Sequence, residues 1–200
     1  MTAILEENEI ISPVLERKTF TSDEVHQMME IGILPEESGW ELINGEIIHR
    51  MIIGSRHAET VIKFSKLLEK LIGDESLVST QNPIEISQKN ESEPDIAILK
   101  MRDDFYMETH PKPSDVLLVI EISFSTIDFD RETKKRIYAE AGIVEYWLVN
   151  LEENTLEIYS NPKGANYFEM KVYERGDMVY SKHIEKLKLN VSDIIPEEMN

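Results

Sequence analysis

Hydrophobic positions recur along the chain with two periods, and the switches between them mark out the elements. In residues 56–72, RHAETVIKFSKLLEKLI, Val61, Phe64, Leu68 and Leu71 fall at helical spacing and the run stops at Gly73, so the stretch predicts an amphipathic helix. Thr19–Gly32 predicts a shorter helix, with Thr21 or Ser22 as its N-cap and Glu24 in the first turn. Ahead of the long helix, WELINGEII (40–48) carries Asn44-Gly45 between apolar-rich flanks, the signal of a two-residue type I′ hairpin. That turn sets Ile43 opposite Glu46 and Glu41 opposite Ile48, so both glutamates project from the same face as isoleucines.

Strand-like runs dominate the remainder. Strands are predicted at 77–87 and at 95–99 (DIAIL), then, after a polar connection containing Pro111 and Pro113, at 116–123 (VLLVIEIS). Residues 128–141 read as a helix ending at Gly142, and 145–150 (EYWLVN) as the next strand. Strand, helix and strand in that order form a crossover unit, whose two strands lie parallel in one sheet. Two further strands near 155–160 and 167–174 form a hairpin or meander, and 186–195 closes the fold by packing Leu187, Leu189, Val191 and Ile194 on the core. The class is α/β with a mixed β-sheet, in one domain spanning 19–200 behind a loosely ordered segment 1–18.

One position breaks the apolar pattern. Glu121 sits near the end of VLLVIEIS, a run apolar enough to be buried on both faces, where an unpaired carboxylate costs several kcal/mol or more by rough estimate. If the strands carrying Asp95 and Glu121 pair antiparallel, the start of one lies beside the end of the other and the two carboxylates converge. Converging carboxylates repel unless a proton or cation lies between them, and a hard divalent ion, Mg²⁺ or Mn²⁺, suits oxygen ligands. A solvent-facing Glu121, or one paired with Lys or Arg, would resolve the same conflict.

The following helix bears on that choice. At about 100° per residue, Lys134 shares a stripe with Ile137, Tyr138 and Ala141, at about −60°, +40° and −20° from it, whereas Lys135 lies about 100° away. A lysine centred on the apolar face near the helix start can extend its ammonium toward Glu121, or snorkel to solvent. Two carboxylates and a lysine at the end of a mixed sheet form a catalytic set for phosphodiester hydrolysis.

Composition restrains this reading. The net charge is −18, which works against the basic surface that phosphate backbones attract. The acidity is uneven: residues 1–50 hold eleven acids and three bases, net −8, and 51–100 hold eight and six, net −2. Two stretches are locally basic, Arg56, Lys63, Lys66 and Lys70, and Arg131, Lys134, Lys135 and Arg136; dimerisation would assemble a groove from them, and an ordinary solvated helix face would look the same. The chain has no cysteine, no apolar stretch near the roughly 18 residues of a membrane span and no signal-peptide pattern at its start, so a cytoplasmic location is expected.

The series WELINGEI, His57 at the start of a helix, EPDIAIL, VIEISFST and DRETKKRIYAEAGIVEYWLVN resembles the Uma2 family (DUF820) of the PD-(D/E)XK nuclease superfamily, over roughly residues 19–195. The resemblance implies a restriction-endonuclease-like core, a four-stranded mixed sheet flanked by helices with the site at a sheet edge, here with an N-terminal hairpin added. It implies a Mg²⁺-dependent endonuclease with DNA as partner. Carried over, Pro94-Asp95 matches the PD element and Glu121 the acidic position of (D/E)XK, so Asp95 and Glu121 would be metal ligands. Ser123 stands where the usual lysine would be, and a lysine of the following helix, Lys134, would substitute for it, with Lys135 and Arg131 near enough to compete. The superfamily often adds a glutamate, for which Glu41, Glu46 or Glu59 could serve; His57 is a further candidate for substrate or metal contact, though a lone histidine is more often structural. Two other functions fit the same residues: a nuclease fold that only binds, and a metal-dependent phosphoesterase on a substrate other than DNA.

Overall fold

The computed structural model describes residues 17–35, 39–49 and 54–195; the segment expected to be loosely ordered falls almost wholly outside them. Helix α1 (Ser22–Glu30) starts on Thr21, not Ser22: the Thr21 hydroxyl accepts from the Glu24 amide at 3.3 Å and the Glu24 carboxylate accepts from the Thr21 amide at 2.9 Å. Strands β1 (Trp40–Ile43) and β2 (Glu46–His49) form the expected hairpin, with Ile43 opposite Glu46 and Glu41 opposite Ile48. Asn44 and Gly45 both have positive φ, 53° and 79°, as a type I′ turn requires. The two glutamates part company: Glu41 is buried, whereas Glu46 on the outer strand is exposed and pairs with Arg17 at 3.2 Å.

The single strand expected over 77–87 is two strands in different sheets. β3 (Ser76–Thr80) ends where Gln81 turns to φ 51°, and β4 (Ile84–Ser87) resumes beyond Pro83. β4 pairs with the short polar β5 (Asn90–Ser92), which in turn pairs with β1, giving a four-stranded sheet in the order β2-β1-β5-β4.

The main sheet also contains β6 (Ile96–Lys100), β7 (Val116–Ser123), β8 (Glu145–Asn150), β9 (Thr155–Lys163) and β10 (Asn166–Glu174), in the order β10-β9-β8-β7-β6-β3. β7 and β8 run parallel, as the crossover requires, and every other pair is antiparallel. Six strands stand where four were expected, because β3 and β10 extend the sheet outward at its two edges.

Alternation along the strands divides the core in two. Ile96, Ile98, Leu118, Ile120, Ile122 and Trp147 face α2 (Ser55–Ile72), which inserts Val61, Phe64 and Leu68. Leu187, Leu189, Val191 and Ile194 close this side, helped by the unexpected small sheet of β11 (Met178–Tyr180) and β12 (Lys188–Asn190). Ala97, Leu99, Val119, Tyr146 and Leu148 face the opposite way, toward Tyr138 and Ile143.

The segment predicted as one helix over 128–141 is composite. A turn of α-helix, α3 (Ile127–Phe129), leads into a π-helical stretch Asp130–Lys134, and α4 (Lys135–Glu140) follows, ending at Gly142 with φ 77°. Both ends of the π stretch, Asp130 and Lys134, are buried, a placement with consequences for the site because π turns are rare and concentrate at functional positions.

Two glycines allow a comparison of strain with crowding. A Cβ at Gly45 would lie 2.7 Å from the Thr19 Cβ, while one at Gly142 meets nothing within 4 Å. Gly45→Ala is expected to cost on the order of 2–3 kcal/mol and Gly142→Ala about 1 kcal/mol, read by urea denaturation of each variant.

Candidate active site

Three stretches of chain meet at one end of the main sheet. The β6–β7 register, Ile96 opposite Ile120, sets Asp95 beside Glu121. The Asp95 amide donates to Glu121 Oε2 at 3.3 Å, and the Ile122 amide donates to Asp95 Oδ2 at 2.9 Å. The strands pair antiparallel, the condition on which the two carboxylates were to meet, and the carboxylates converge.

Lys134 arrives from the π stretch. Its Nζ donates to Glu121 Oε1 at 2.9 Å and to Glu41 Oε1 at 3.0 Å, all three side chains being at least 97% buried. Glu41 Oε1 also accepts from the Ser92 hydroxyl at 2.7 Å and the Glu93 amide at 2.9 Å. Helical periodicity thus points to the residue that reaches Glu121. Its competitors are turned elsewhere: Arg131 pairs with Glu157, and the Lys135 ammonium lies over the Tyr159 ring, 5.3 Å from its centroid.

Of the secondary candidates, Glu41 and His57 join the cluster and Glu46 and Glu59 do not. His57, in the first turn of α2, places Nε2 2.9 Å from Asp95 Oδ2; its Nδ1 is buried and has no hydrogen-bond partner among the described residues. Glu59 is exposed and pairs along its own helix with Lys63. Ser123 is buried, with its hydroxyl 3.1 Å from that of Thr126, and brings no charge to the site.

Two residues not singled out in the sequence complete the arrangement. Asp130 is buried, accepts from the Thr126 hydroxyl at 2.8 Å and lines the same cleft as Lys134. The sequence carries a signal for it: four residues before Lys134, it falls about 40° from it on the same helix face. Tyr138 donates to Glu121 Oε1 at 2.7 Å, and its oxygen lies 2.9 Å from the Ser92 hydroxyl.

The charge balance of this cluster is unfavourable as it stands. Burial pushes the Glu121 carboxyl from about 4.5 up to about 7; the Lys134 ammonium opposes the rise, and the charges of Asp95, Asp130 and Glu41 add to it. Burial likewise raises Asp130 above the usual carboxylate range, again against the pull of Lys134. Ser92 and Tyr138 link the Glu41 and Glu121 carboxylates through a run of three hydroxyl contacts.

Glu41, His57, Asp95, Glu121, Asp130 and Lys134 line a cleft of about 820 Å³, whose walls also include Ile48, Phe124, Phe129 and Arg56. Among the described residues no three His, Asp or Glu side chains stand as a ready metal cage. Mg²⁺ needs fewer, since it is commonly held by one or two carboxylates and keeps water or substrate oxygens in its other positions. Asp95 and Glu121 are the two adjacent carboxylates that would offer hard oxygen donors to such an ion, in a cluster whose acids outnumber its one lysine.

The fold is a mixed sheet with a buried carboxylate pair at its strand ends and a lysine reaching them from the following helical segment. The chain belongs to the Uma2 family, described as "Putative restriction endonuclease", whose model matches residues 23–192. The fold resembles the crystal structure of "a putative nuclease belonging to DUF820" from Anabaena variabilis ATCC 29413, with a TM-score of 0.65 at 18% identity, over 88% of this chain and 97% of that one. No curated protein matches the chain.

A raised Glu121 makes stability depend on pH with a definite sign. Between pH 4.5 and about 7 the folded state holds a proton that the unfolded chain has released; the resulting stabilisation is complete below pH 4.5 and lost as pH rises through 7. Glu121→Gln removes this slope. Its melting temperature relative to wild type, both without divalent metal, is expected to rise from pH 4.5 to about 7 and to level off above that, as read by differential scanning calorimetry.

Proposed function

We propose that the protein is a metal-dependent DNA endonuclease in which Asp95 and Glu121 hold Mg²⁺ or Mn²⁺ and Lys134 assists the hydrolysis of a phosphodiester. The observation that carries this reading is the position of the Lys134 ammonium, held between Glu121 and Glu41 beside the Asp95–Glu121 pair on the floor of an accessible cleft. The ion, when bound, would polarise the phosphate and acidify a water ligand.

Each protein group has a task set by its contacts. Glu121 would hold the ion as the deprotonated carboxylate, and Tyr138 and Ser92 connect it by hydroxyls to Glu41. Glu41 and Glu121 together fix the lysine against rotation, so its ammonium faces the cleft's reacting end without reorganising when charge builds up. His57 and the Ile122 amide hold the Asp95 carboxylate in place, making His57 a positioning residue.

The shape of the cleft favours a second reading of the substrate. About 820 Å³ with an apolar wall is the size of a pocket for a small molecule or an unpaired nucleotide, and the net charge of −18 repels a long polyanion. A phosphodiester other than duplex DNA would meet the same chemistry. The intact Asp95, Glu121 and Lys134 set speaks against a module that only binds.

The test measures metal binding by calorimetry and hydrolysis of supercoiled plasmid, single-stranded DNA and bis(p-nitrophenyl) phosphate on the same samples. Wild type is expected to bind Mg²⁺ or Mn²⁺ more tightly as pH rises through 7, releasing a proton. Asp95→Asn should lose both metal and hydrolysis; Lys134→Met should retain metal and lose about 100-fold or more of the rate. Hydrolysis of the small diester alone would select the second reading, and wild type that binds no metal at pH 8 would overturn the proposal.

A further inference from the structure

The outer edge of the main sheet carries a surface unrelated to the cleft. Among the described residues β10 pairs only with β9, in one constant register from Asn166 opposite Lys163 to Glu174 opposite Thr155. Its sequence, NYFEMKVYE, contains no proline and its pairing with β9 shows no bulge, so two of the devices that blunt a sheet edge are missing. Residues 168–172 are all exposed, and three are large and apolar: Phe168 at 65%, Met170 at 51% and Val172 at 46%. The opposite edge differs, since β3 has five residues, all of them only partly exposed.

The order of residues along β10 is self-complementary. Laid antiparallel against a second copy and centred on Met170, Glu169 meets Lys171 of that copy and Lys171 meets its Glu169. Phe168 meets Val172, and Tyr167 meets Tyr173. Opposite charges and aromatic–β-branched pairs are favoured in directly opposed positions. Neighbouring registers are penalised: centring on residue 169 sets Glu169 against Glu169, and centring on 171 sets Lys171 against Lys171. Both side chains are free to turn to a partner at small cost, Glu169 from an exposed ion pair with Lys182 and Lys171 from its place 4.4 Å over the Tyr173 ring.

We propose that the chain forms a two-fold homodimer by antiparallel pairing of β10 with β10 of a second copy, centred on Met170, joining two six-stranded sheets into one. The axis stands perpendicular to the sheet, so the ends of the strands are exchanged between copies. The two clefts then lie at opposite strand ends, with β8, β9, β10 and their copies between them, on the order of 34 Å apart across the sheet. Each cleft is complete in its own chain, and the dimer keeps the two sites apart instead of facing them across one duplex.

The experiment is sedimentation velocity on the full chain and on two charge variants, with circular dichroism to establish that all are folded. Wild type is expected as a dimer. Lys171→Glu and Glu169→Lys each set like charges together twice and should weaken dimerisation about 10-fold or more. An equimolar mixture of the two variants restores both opposite-charge pairs and should dimerise while neither does alone. Monomeric wild type at high micromolar concentration, folded single variants that remain dimeric, or a mixture no more associated than its components would each overturn the proposal.

Discussion

The arrangement at the strand ends depends on the cost of burying one carboxylate. Glu121 lies in an apolar strand of the central sheet and is 2% exposed, where a lone charge would be strongly disfavoured. What compensates it comes from far along the chain: the Lys134 ammonium, the Tyr138 hydroxyl and the Asp95 amide. Lys134 in turn needs Glu41, and Glu41 needs Ser92 and Glu93. This chain of requirements ties the hairpin sheet, the main sheet and the π stretch to one another at one point. The same point opens on the cleft, so structural compensation and candidate chemistry use the same atoms.

The charge distribution takes on a different meaning once the partners are known. The run Arg131, Lys134, Lys135 and Arg136 suggests a basic patch, yet Arg131 neutralises Glu157, Lys134 is buried, Lys135 covers Tyr159 and Arg136 pairs with Glu140. What remains is a strongly acidic protein with a compact, partly apolar cleft. Such a surface gives little long-range attraction for a duplex, and recognition would rest on contacts within the cleft.

Much of the candidate site is legible in the amino-acid sequence. The proline ahead of Asp95 and the apolar strand around Glu121 mark the two carboxylates, and the antiparallel pairing on which their meeting depends is supplied by the fold. Lys134 follows from helical periodicity, which holds in α4 despite the π turn ahead of it, since the stripe through Ile137, Tyr138 and Ala141 begins at that turn's end. Asp130 obeys the same geometry but does not stand out, because a short acid at a helix start reads as an ordinary first-turn residue.

Sequence alone thus determined the order and kind of most elements, the hairpin turn, the crossover and the two strand carboxylates, all consequences of spacing within a few residues. Tertiary structure decided what spacing cannot express. The strand expected over 77–87 divides between two sheets because its halves find different distant partners, and Glu41 is buried while Glu46 is not because β5 covers only one side of the hairpin. Helical periodicity points to Lys134, but what turns its competitors away is remote in sequence: Glu157 holds Arg131 and the Tyr159 ring holds Lys135. The energy of a buried charge is set by neighbours in space, and those neighbours exist only in the folded chain.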